Sequence, residues 1–347
     1  MVNQANPKVS VCIPVYNGER FLPDCIGSVL SQDFDDFELV VVDNCSTDKT
    51  AEVVASYNDP RIRFVKNETN IGSIGNFNKC IEVALGEYFV LLPHDDMLSP
   101  GALRLFSQSL DNPEVGLAYS AIQTIDADGN NFTTRMGLAD YDVSNVRQAV
   151  EGIVNHFVPI QLAMARTEVL QRLGGFDDKF GLYSDIHMWL KVVFDNWSVA
   201  YQDVTLFYHR VHENQGQKAF LKANLKELSK HWGKTLDKTF WIENNRDHLL
   251  MKLIGYICDE MARVGIEATY TKTQLLKIFI RSHILSVAMA ILQGKGFVLR
   301  QELLLLGQVC KFFGLGKLLM YYPYVLISLL GKKFKTKFSG NTKVAIA

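Results

Sequence analysis

The sequence lacks the glycine-rich loops with which many α/β proteins hold phosphate groups. After the first predicted strand the chain reads "PVYNGERF", which contains no G-x-G-x-x-G pattern, and the pattern GxxxxGK[ST] does not occur. These absences disfavour a dinucleotide-binding Rossmann site and a P-loop. A nucleotide bound by this chain would need another means, such as a metal ion, to neutralise its phosphates.

Paired cysteines and long apolar runs are also missing. The six cysteines form no CxxC pair, and most lie in apolar periodic segments, which favours reduced core residues of a cytosolic chain. The first residues contain no apolar segment of the kind found in a signal peptide, so we expect no cleaved secretion signal. The apolar run 318–331 contains Pro323 and is 14 residues long, whereas a membrane-spanning helix needs about 20.

Strand and helix patterns alternate along the first hundred residues. Apolar runs at 9–16, 37–43 and 87–93 are typical of buried strands, and segments with helical periodicity separate them. This alternation predicts an α/β fold with a mostly parallel central sheet, whose ligands collect at the carboxyl ends of the strands. We predict such a domain over 1–215, followed by an α-helical, basic C-terminal region over 216–347.

Polar groups follow three of the predicted strands directly, at 14–17, 43–48 and 94–96. Because parallel strands end at the same edge of a sheet, these groups are expected to converge on one crevice. The adjacent carboxylates Asp95 and Asp96 suit Mg²⁺ or Mn²⁺, which commonly take one or two carboxylates together with substrate phosphates. The alternative is a solvated Asp-Asp turn.

Asp43 ends a run of three valines. A carboxylate at this position can accept a hydrogen bond from a ring N–H of uracil, thymine or guanine, whereas cytosine offers no such donor. The alternative is that Asp43 caps the following helix. Its early position in the segment favours the base contact.

Six motifs occur in an order and at a spacing that resemble the family 2 glycosyltransferases. They are "VSVCIPVYNGERFL", "ELVVVDNCSTDKT", "NxGxxxNFN", "GEYFVLLPHDDMLSPGAL", "GGFDDKF" and "YSDIHMWLKV". The resemblance covers roughly residues 8–215. It implies a GT-A nucleotide-sugar-binding fold, a UDP-, dTDP- or GDP-linked sugar donor, a Mg²⁺ or Mn²⁺ ion, and inversion at the anomeric carbon.

The resemblance also implies which residues bind the donor nucleotide. Pro14, Tyr16 and Asn17 would line the nucleotide pocket. Asp43 would contact the base and Asp95 the ribose. These positions all belong to the groups that follow predicted strands.

The resemblance further implies a metal ligand and a catalytic base. Asp96 would bind the metal, and His212, rather than His209, would lie at the diphosphate or metal. Asp185 matches the catalytic base, because inversion requires one carboxylate to deprotonate the acceptor hydroxyl. Ser184 departs from the Glu that the family often has beside this base. The QxxRW element of processive polymerases is absent, which favours transfer of a single sugar.

The predicted C-terminal region ends in a strongly basic segment. Residues 295–343 contain nine Lys or Arg residues and one acidic residue, Glu302, interleaved with Leu, Phe and Tyr. Such a composition suits a segment lying in the interface of an anionic membrane. The alternative is a helical bundle with a cationic, solvated face.

These patterns lead to one main functional hypothesis. The chain is expected to be an inverting, metal-dependent glycosyltransferase that adds one sugar to a glycan or lipid-linked glycan of the polysaccharide or O-antigen type. We expect it in the cytoplasm, peripheral on the inner face of a bacterial membrane, with no nucleic-acid partner. The alternatives are transfer to a polyprenyl phosphate and a sugar-nucleotide-binding protein that has lost catalysis.

Overall fold

A computed structural model describes residues 6–130, 149–150, 163–212, 253, 256–257 and 259–264. The described residues form an eight-stranded sheet. Its strands are β1 (Val9–Val15), β2 (Phe37–Asp43), β3 (Ile62–Lys66), β4 (Tyr88–Leu91), β5 (Met97–Leu98), β6 (Val115–Ile125), β7 (Met164–Arg166) and β8 (Ser198–Arg210). Most of the predicted C-terminal region, including the basic segment 295–343, lies outside the described residues.

Helices cover the sheet and connect its strands. They are α1 (Leu22–Leu30), α2 (Thr50–Ala55), α3 (Gly72–Val83), α4 (Ala102–Leu110), α5 (Thr167–Arg172) and α6 (Ser184–Phe194), with a 3₁₀ turn over Asp178–Tyr183. Gly174 and Gly175 lie between α5 and the 3₁₀ turn. Both glycines have positive φ angles, which a residue with a side chain rarely adopts.

The strands lie in the order β3-β2-β1-β4-β7-β6-β8-β5. Neighbouring strands from β3 to β4 are parallel, as are β6 and β8, whereas the other three pairs are antiparallel. Every residue of β1 and β2 is buried, because these strands are covered on both faces. The prediction of an α/β fold with a mostly parallel central sheet is therefore confirmed.

The carboxyl ends of β1, β2 and β3 lie side by side, with Val15 opposite Asp43 and Asp43 opposite Lys66. The strand β4 pairs with the other edge of β1. The three polar groups that follow β1, β2 and β4 therefore meet at one edge of the sheet, as the sequence predicts.

The strand β8 brings a later part of the chain back to this edge of the sheet. Tyr208 of β8 pairs with Met97 of β5, which directly follows the two aspartates. This pairing delivers the segment around Arg210 to the carboxyl end of β4. In the part of the chain that the structure describes, we find no helix with the length and apolar character needed to cross a bilayer.

Candidate active site

The loop after β1 is fixed against the loop after β2. Asn17 has a positive φ of 53°, and its Oδ1 accepts a hydrogen bond from the Thr47 N–H at 2.9 Å. The Asn17 N–H donates to the Ser46 hydroxyl at 2.8 Å. Pro14 is buried in the ladder opposite Val42. These contacts place two of the predicted nucleotide-pocket residues beside the end of β2.

Tyr16, the third predicted residue of this pocket, is 46% exposed. The neighbouring Gly18 packs closely against the chain that follows β4. A Cβ atom added to Gly18 would lie 2.8 Å from His94 Cδ2. Only glycine therefore allows this approach between the first loop and the segment that carries Asp95 and Asp96.

Asp43 is fully buried at the end of β2. Its Oδ1 accepts a hydrogen bond from the Ser46 N–H at 3.0 Å. Its Oδ2 has no hydrogen-bond partner among the described residues, and the nearest cation is Lys66, whose Nζ lies 3.9 Å away. Asp43 thus turns the following loop and keeps one oxygen for a further donor.

Two histidines lie against the paired carboxylates. His212 Nε2 is 3.0 Å from Asp95 Oδ2, and His209 Nδ1 is 3.1 Å from Asp96 Oδ1. The sequence predicts His212, rather than His209, as a residue of the site. The contact with Asp96 could not be read from the sequence, because it depends on the pairing of β8 with β5.

Arg210 lies between these histidines in sequence and is 1% exposed. Its Nε donates to the Asp95 carbonyl and its Nη2 to Asp24 Oδ2, both at 2.9 Å. Its backbone N–H donates to Asp96 Oδ1 at 2.8 Å. Arg210 therefore holds the turn that contains both aspartates, a role that the sequence analysis did not identify.

Burial and the contacts between carboxylates and histidines shift the pKa values of this cluster in opposite directions. Burial raises the pKa of Asp96, although the nearby His209 opposes the shift. Burial would also raise the pKa of Asp95, but the hydrogen bond with His212 and the nearby His94 hold it below its usual value. Burial would lower the pKa of His209, but the charge of Asp96 raises it.

The donor set fits a hard divalent cation. Carboxylate oxygens suit Mg²⁺ or Mn²⁺, and the carboxylates that bind metals are commonly held by hydrogen bonds of their own. Asp96 has such bonds from Arg210 and His209. No group of three or more His, Cys, Asp or Glu residues close enough to hold a metal is found among the described residues.

Asp185 begins α6 and is buried. Burial raises the pKa of its carboxyl to about 6, because few groups stabilise the charged form; the Ile186 N–H donates to it at 2.8 Å. Among the described residues, no hydrogen bond or ion pair joins Asp185 to Asp43, Asp95 or Asp96.

Two further buried polar groups lie on β6 and on α6 itself. The Tyr119 hydroxyl on β6 has no hydrogen-bond partner among the described residues, and burial raises its pKa, with the charge of Asp185 adding to the shift. His187 stacks on Phe180 with ring centroids 3.7 Å apart.

Trp189 is fully buried and packs edge-on against Tyr119. Trp189 therefore contributes to the core.

The loop after β1 joins the strand-end groups into one site. Asn17 at its start contacts the loop that follows Asp43, and Phe21 at its end lies 4.6 Å from the His212 ring, measured between centroids. The structure thus brings Pro14, Asn17, Asp43, Asp95, Asp96 and His212 to one edge of the sheet. Tyr16 lies exposed in the same loop.

Comparison with known proteins gives several relatives. An uncharacterized protein of Mycobacterium tuberculosis is 33% identical over 204 residues, which cover 55% of this chain and 64% of that protein. An uncharacterized glycosyltransferase of Rickettsia typhi is 28% identical over 239 residues, 68% of this chain and 74% of the relative. A putative colanic acid biosynthesis glycosyl transferase of Escherichia coli is 36% identical over 103 residues, 29% of this chain and 37% of the relative.

Solved structures share the fold. S. aureus TarS 1-349 matches with a TM-score of 0.51 and 18% sequence identity, covering 85% of this chain and 90% of that chain. The same TarS fragment has been crystallised in complex with UDP-GlcNAc. This likeness supports a GT-A fold for the described residues.

Residues 10–174 match the family model of glycosyl transferase family 2. The matched range includes β1 to β4 and therefore the strand ends that carry Asn17, Asp43, Asp95 and Asp96. Residues 10–174 are thus similar to the family 2 glycosyltransferases, and the described residues share the GT-A fold of the solved structures.

Proposed function

We propose that this chain is an inverting, metal-dependent transferase. It moves one sugar from a nucleotide-sugar donor to a hydroxyl of a glycan or lipid-linked glycan. The observation that carries the proposal is that Asp43 and the pair Asp95–Asp96 lie at the carboxyl ends of β2 and β4, the two strands that flank β1, while Asp185 is buried and has a raised pKa.

The donor nucleotide is proposed to bind at the ends of β1 and β2. Asp43 Oδ2 accepts from the base, and Tyr16 offers an exposed ring near it. Asn17 and Pro14 shape the pocket wall through their contacts with the β2 loop. Asp95, whose carboxylate is held by His212, contacts the ribose.

The diphosphate is proposed to lie beside Asp96. When bound, a divalent cation there would stabilise the negative charge of the departing diphosphate. Asp96 is the proposed carboxylate ligand and His212 the proposed nitrogen ligand. Arg210 and His209 hold Asp96 in place through the hydrogen bonds that they make with it.

Asp185 is the proposed general base. The acceptor O–H gives its proton to the Asp185 carboxylate, while the acceptor oxygen forms a bond to the anomeric carbon. The bond from that carbon to the phosphate oxygen breaks, and its electron pair leaves with the nucleoside diphosphate. A carboxyl pKa of about 6 lies close to neutral pH, where a base is both ionised and able to hold a proton.

The acceptor is proposed to belong to a bacterial surface polysaccharide. The E. coli relative is described as a putative colanic acid biosynthesis glycosyl transferase, which supports an acceptor of this class. The alignment with that relative covers 103 residues, which is 29% of this chain. The acceptor class is therefore proposed separately from the transferase reaction.

A panel of nucleotide sugars tests the reaction. The full chain should release nucleoside diphosphate from at least one UDP-, dTDP- or GDP-linked sugar in the presence of Mn²⁺ or Mg²⁺, and EDTA should stop the release. Product analysis with the active donor and a surface-glycan oligosaccharide should show one added sugar of inverted configuration. Release that continues unchanged in EDTA would contradict the metal requirement.

The basic segment 295–343, outside the described residues, is proposed to bind the inner face of the cytoplasmic membrane. Each cation near an anionic surface contributes about 1 kcal/mol. The full chain should therefore pellet with anionic vesicles and be partly released by high salt, while a chain truncated at residue 294 should remain in the supernatant. Equal pelleting of the two chains would contradict this role.

A further inference from the structure

The hydroxyl of Tyr119 on β6 is a buried polar group that none of the steps above uses. Tyr119 is 5% exposed, and its hydroxyl oxygen has no hydrogen-bond partner among the described residues. Buried polar groups nearly always have a partner, because an unpaired one destabilises the fold. An atom from outside the described residues would therefore stabilise this hydroxyl by accepting a hydrogen bond from it.

Packing holds this hydroxyl beside the face of α6 that carries Asp185. The Tyr119 ring packs edge-on against Trp189 with centroids 6.4 Å apart, and Trp189 also packs edge-on against Phe176 with centroids 6.0 Å apart. Asp185 and Trp189 are four residues apart on α6, so their side chains lie on one face of the helix. Since helical side chains lean toward the N-terminus of their helix, Trp189 places Tyr119 near the first turn, where Asp185 lies.

Tyr119 and Asp185 offer opposite halves of a hydrogen bond. Burial raises the pKa of Tyr119, and the charge of the nearby Asp185 adds to the shift, so the hydroxyl keeps its proton at neutral pH and acts as a donor. The Asp185 carboxylate accepts from the Ile186 N–H at 2.8 Å and can accept further bonds. The two side chains are not hydrogen-bonded to each other. A neighbouring donor and acceptor thus stand ready for a third group that can bond to both.

We propose, on the basis of the function proposed above, that Tyr119 orients the acceptor by donating a hydrogen bond to the oxygen that attacks the sugar. This oxygen has four directions around it. One holds its own carbon, one holds the proton that points to Asp185, and one is a lone pair that accepts from Tyr119. The remaining lone pair attacks the anomeric carbon, so the two protein contacts together fix the direction of attack.

Tyr119 keeps its own proton throughout this reaction. The acceptor proton moves to the Asp185 carboxylate, the acceptor oxygen bonds to the anomeric carbon, and the electron pair of the broken bond leaves with the nucleoside diphosphate. Water can take the place of the acceptor, because it also has a proton for Asp185 and two lone pairs. Hydrolysis of the donor by water therefore probes Tyr119 with a known acceptor.

The substitution Tyr119→Phe tests the proposal in the full chain. With Mn²⁺ and the active nucleotide sugar, it should lower the kcat for release of nucleoside diphosphate roughly two- to twelvefold, which corresponds to the loss of one neutral hydrogen bond. Calorimetry should show an unchanged affinity for nucleoside diphosphate, because the proposed contact is with the acceptor and not with the donor.

Stability separates this role from a structural one. Because the Tyr119 hydroxyl has no partner in the described part of the chain, Tyr119→Phe should leave the urea midpoint of unfolding unchanged or raise it. Tyr57→Phe is the matched control, since the Tyr57 hydroxyl donates to the Pro23 carbonyl at 3.2 Å. The control should show the reverse pattern, which is a lower urea midpoint and an unchanged rate of release.

The outcomes separate this proposal from the one on which it rests. A wild-type rate in Tyr119→Phe would overturn the role of Tyr119 and leave the transferase function standing. A lower rate together with a lower urea midpoint would overturn it as well, because the hydroxyl would then support the fold. A rate–pH curve displaced to higher pH would show that Tyr119 bonds to Asp185 instead of the acceptor. If the wild-type chain hydrolyses no donor, the proposed function is overturned, and this inference with it.

Discussion

In the donor half of the site, at the ends of β1, β2 and β4, most candidate side chains have hydrogen-bond partners, whereas buried polar atoms around Asp185 lack them. Asn17, Asp95 and Asp96 contact neighbouring loops or β8. Among the described residues, the Tyr119 hydroxyl and His187 Nδ1 have no partner. The exception in the donor half is Asp43 Oδ2, which also has no hydrogen-bond partner among the described residues.

The difference agrees with the two roles proposed above, which are metal binding for Asp96 and proton transfer for Asp185. Asp96 is held by a backbone N–H and an imidazole, so its position is fixed for binding. Asp185 accepts a hydrogen bond from the Ile186 N–H and forms no ion pair among the described residues, and burial raises its pKa to about 6. Perturbed carboxyls of this kind are typical of acid–base catalysts.

The largest effect is expected for Asp96→Ala, which tests the donor half. This substitution should abolish turnover and remove Mn²⁺-dependent binding of nucleoside diphosphate, because it deletes the proposed carboxylate ligand. Calorimetry with and without Mn²⁺ measures the loss, and circular dichroism checks the fold. Asp35→Ala, at a fully exposed carboxylate, is the control. Unchanged Mn²⁺-dependent binding in Asp96→Ala would show that the metal lies elsewhere.

Asp185→Asn tests the other half. The amide has nearly the same shape but cannot take a proton, so the transfer rate should fall by about 10²- to 10⁴-fold while donor affinity is retained. Steady-state kinetics should show the loss in kcat rather than in the donor KM. The wild-type rate should rise with pH through about 6, as the carboxyl ionises. A threefold loss would reject Asp185 as the base.

Asp43→Ala tests nucleotide binding in the donor half separately from metal binding, because its effect should be confined to the nucleotide. Loss of one charge-assisted hydrogen bond should weaken nucleoside diphosphate affinity about ten- to hundredfold, with Mn²⁺ affinity little changed. Calorimetry with the nucleotide and with the metal separately distinguishes the two. Undiminished affinity for every nucleoside diphosphate would make Asp43 a structural residue that only turns the β2 loop.

The smallest expected effect is that of Asp185→Asn on stability. This substitution should lower the transfer rate but raise the free energy of unfolding. The folded-state pKa of Asp185 is raised from 3.8 to about 6, so the folded state binds the proton more tightly. The stability that this proton provides is present below pH 4 and is lost as pH rises through about 6. At pH 7.5, Asp185→Asn should therefore raise the free energy of unfolding by up to about 3 kcal/mol.

Urea unfolding at pH 7.5 and at pH 4 measures this gain. It should disappear at pH 4, where the wild-type carboxyl is protonated in the folded state, and Asp35→Asn should show no gain at either pH. A destabilised Asp185→Asn protein at pH 7.5 would mean that the Asp185 charge is stabilised by a partner outside the described residues.

Local sequence patterns predict the part of the candidate site that lies at the strand ends. Asn17, Asp43, Asp95 and Asp96 follow short apolar runs, and period and turn residues are enough to place them at the ends of parallel strands. The motif resemblance added Asp185, which is separated in sequence from the strand-end cluster. The basic segment 295–343 stays a prediction, because it lies outside the described residues.

By itself, the sequence determined the alternating fold and the polar groups at the strand ends, because hydrophobic periodicity is a local property of the chain. Only the tertiary structure decided that His209 contacts Asp96 across 113 residues and that Arg210 holds the Asp95 carbonyl. The same holds for the pKa of Asp185, because burial by distant elements removes the water that would stabilise its charge. Long-range strand pairing and desolvation leave no periodic pattern in the residues that they affect.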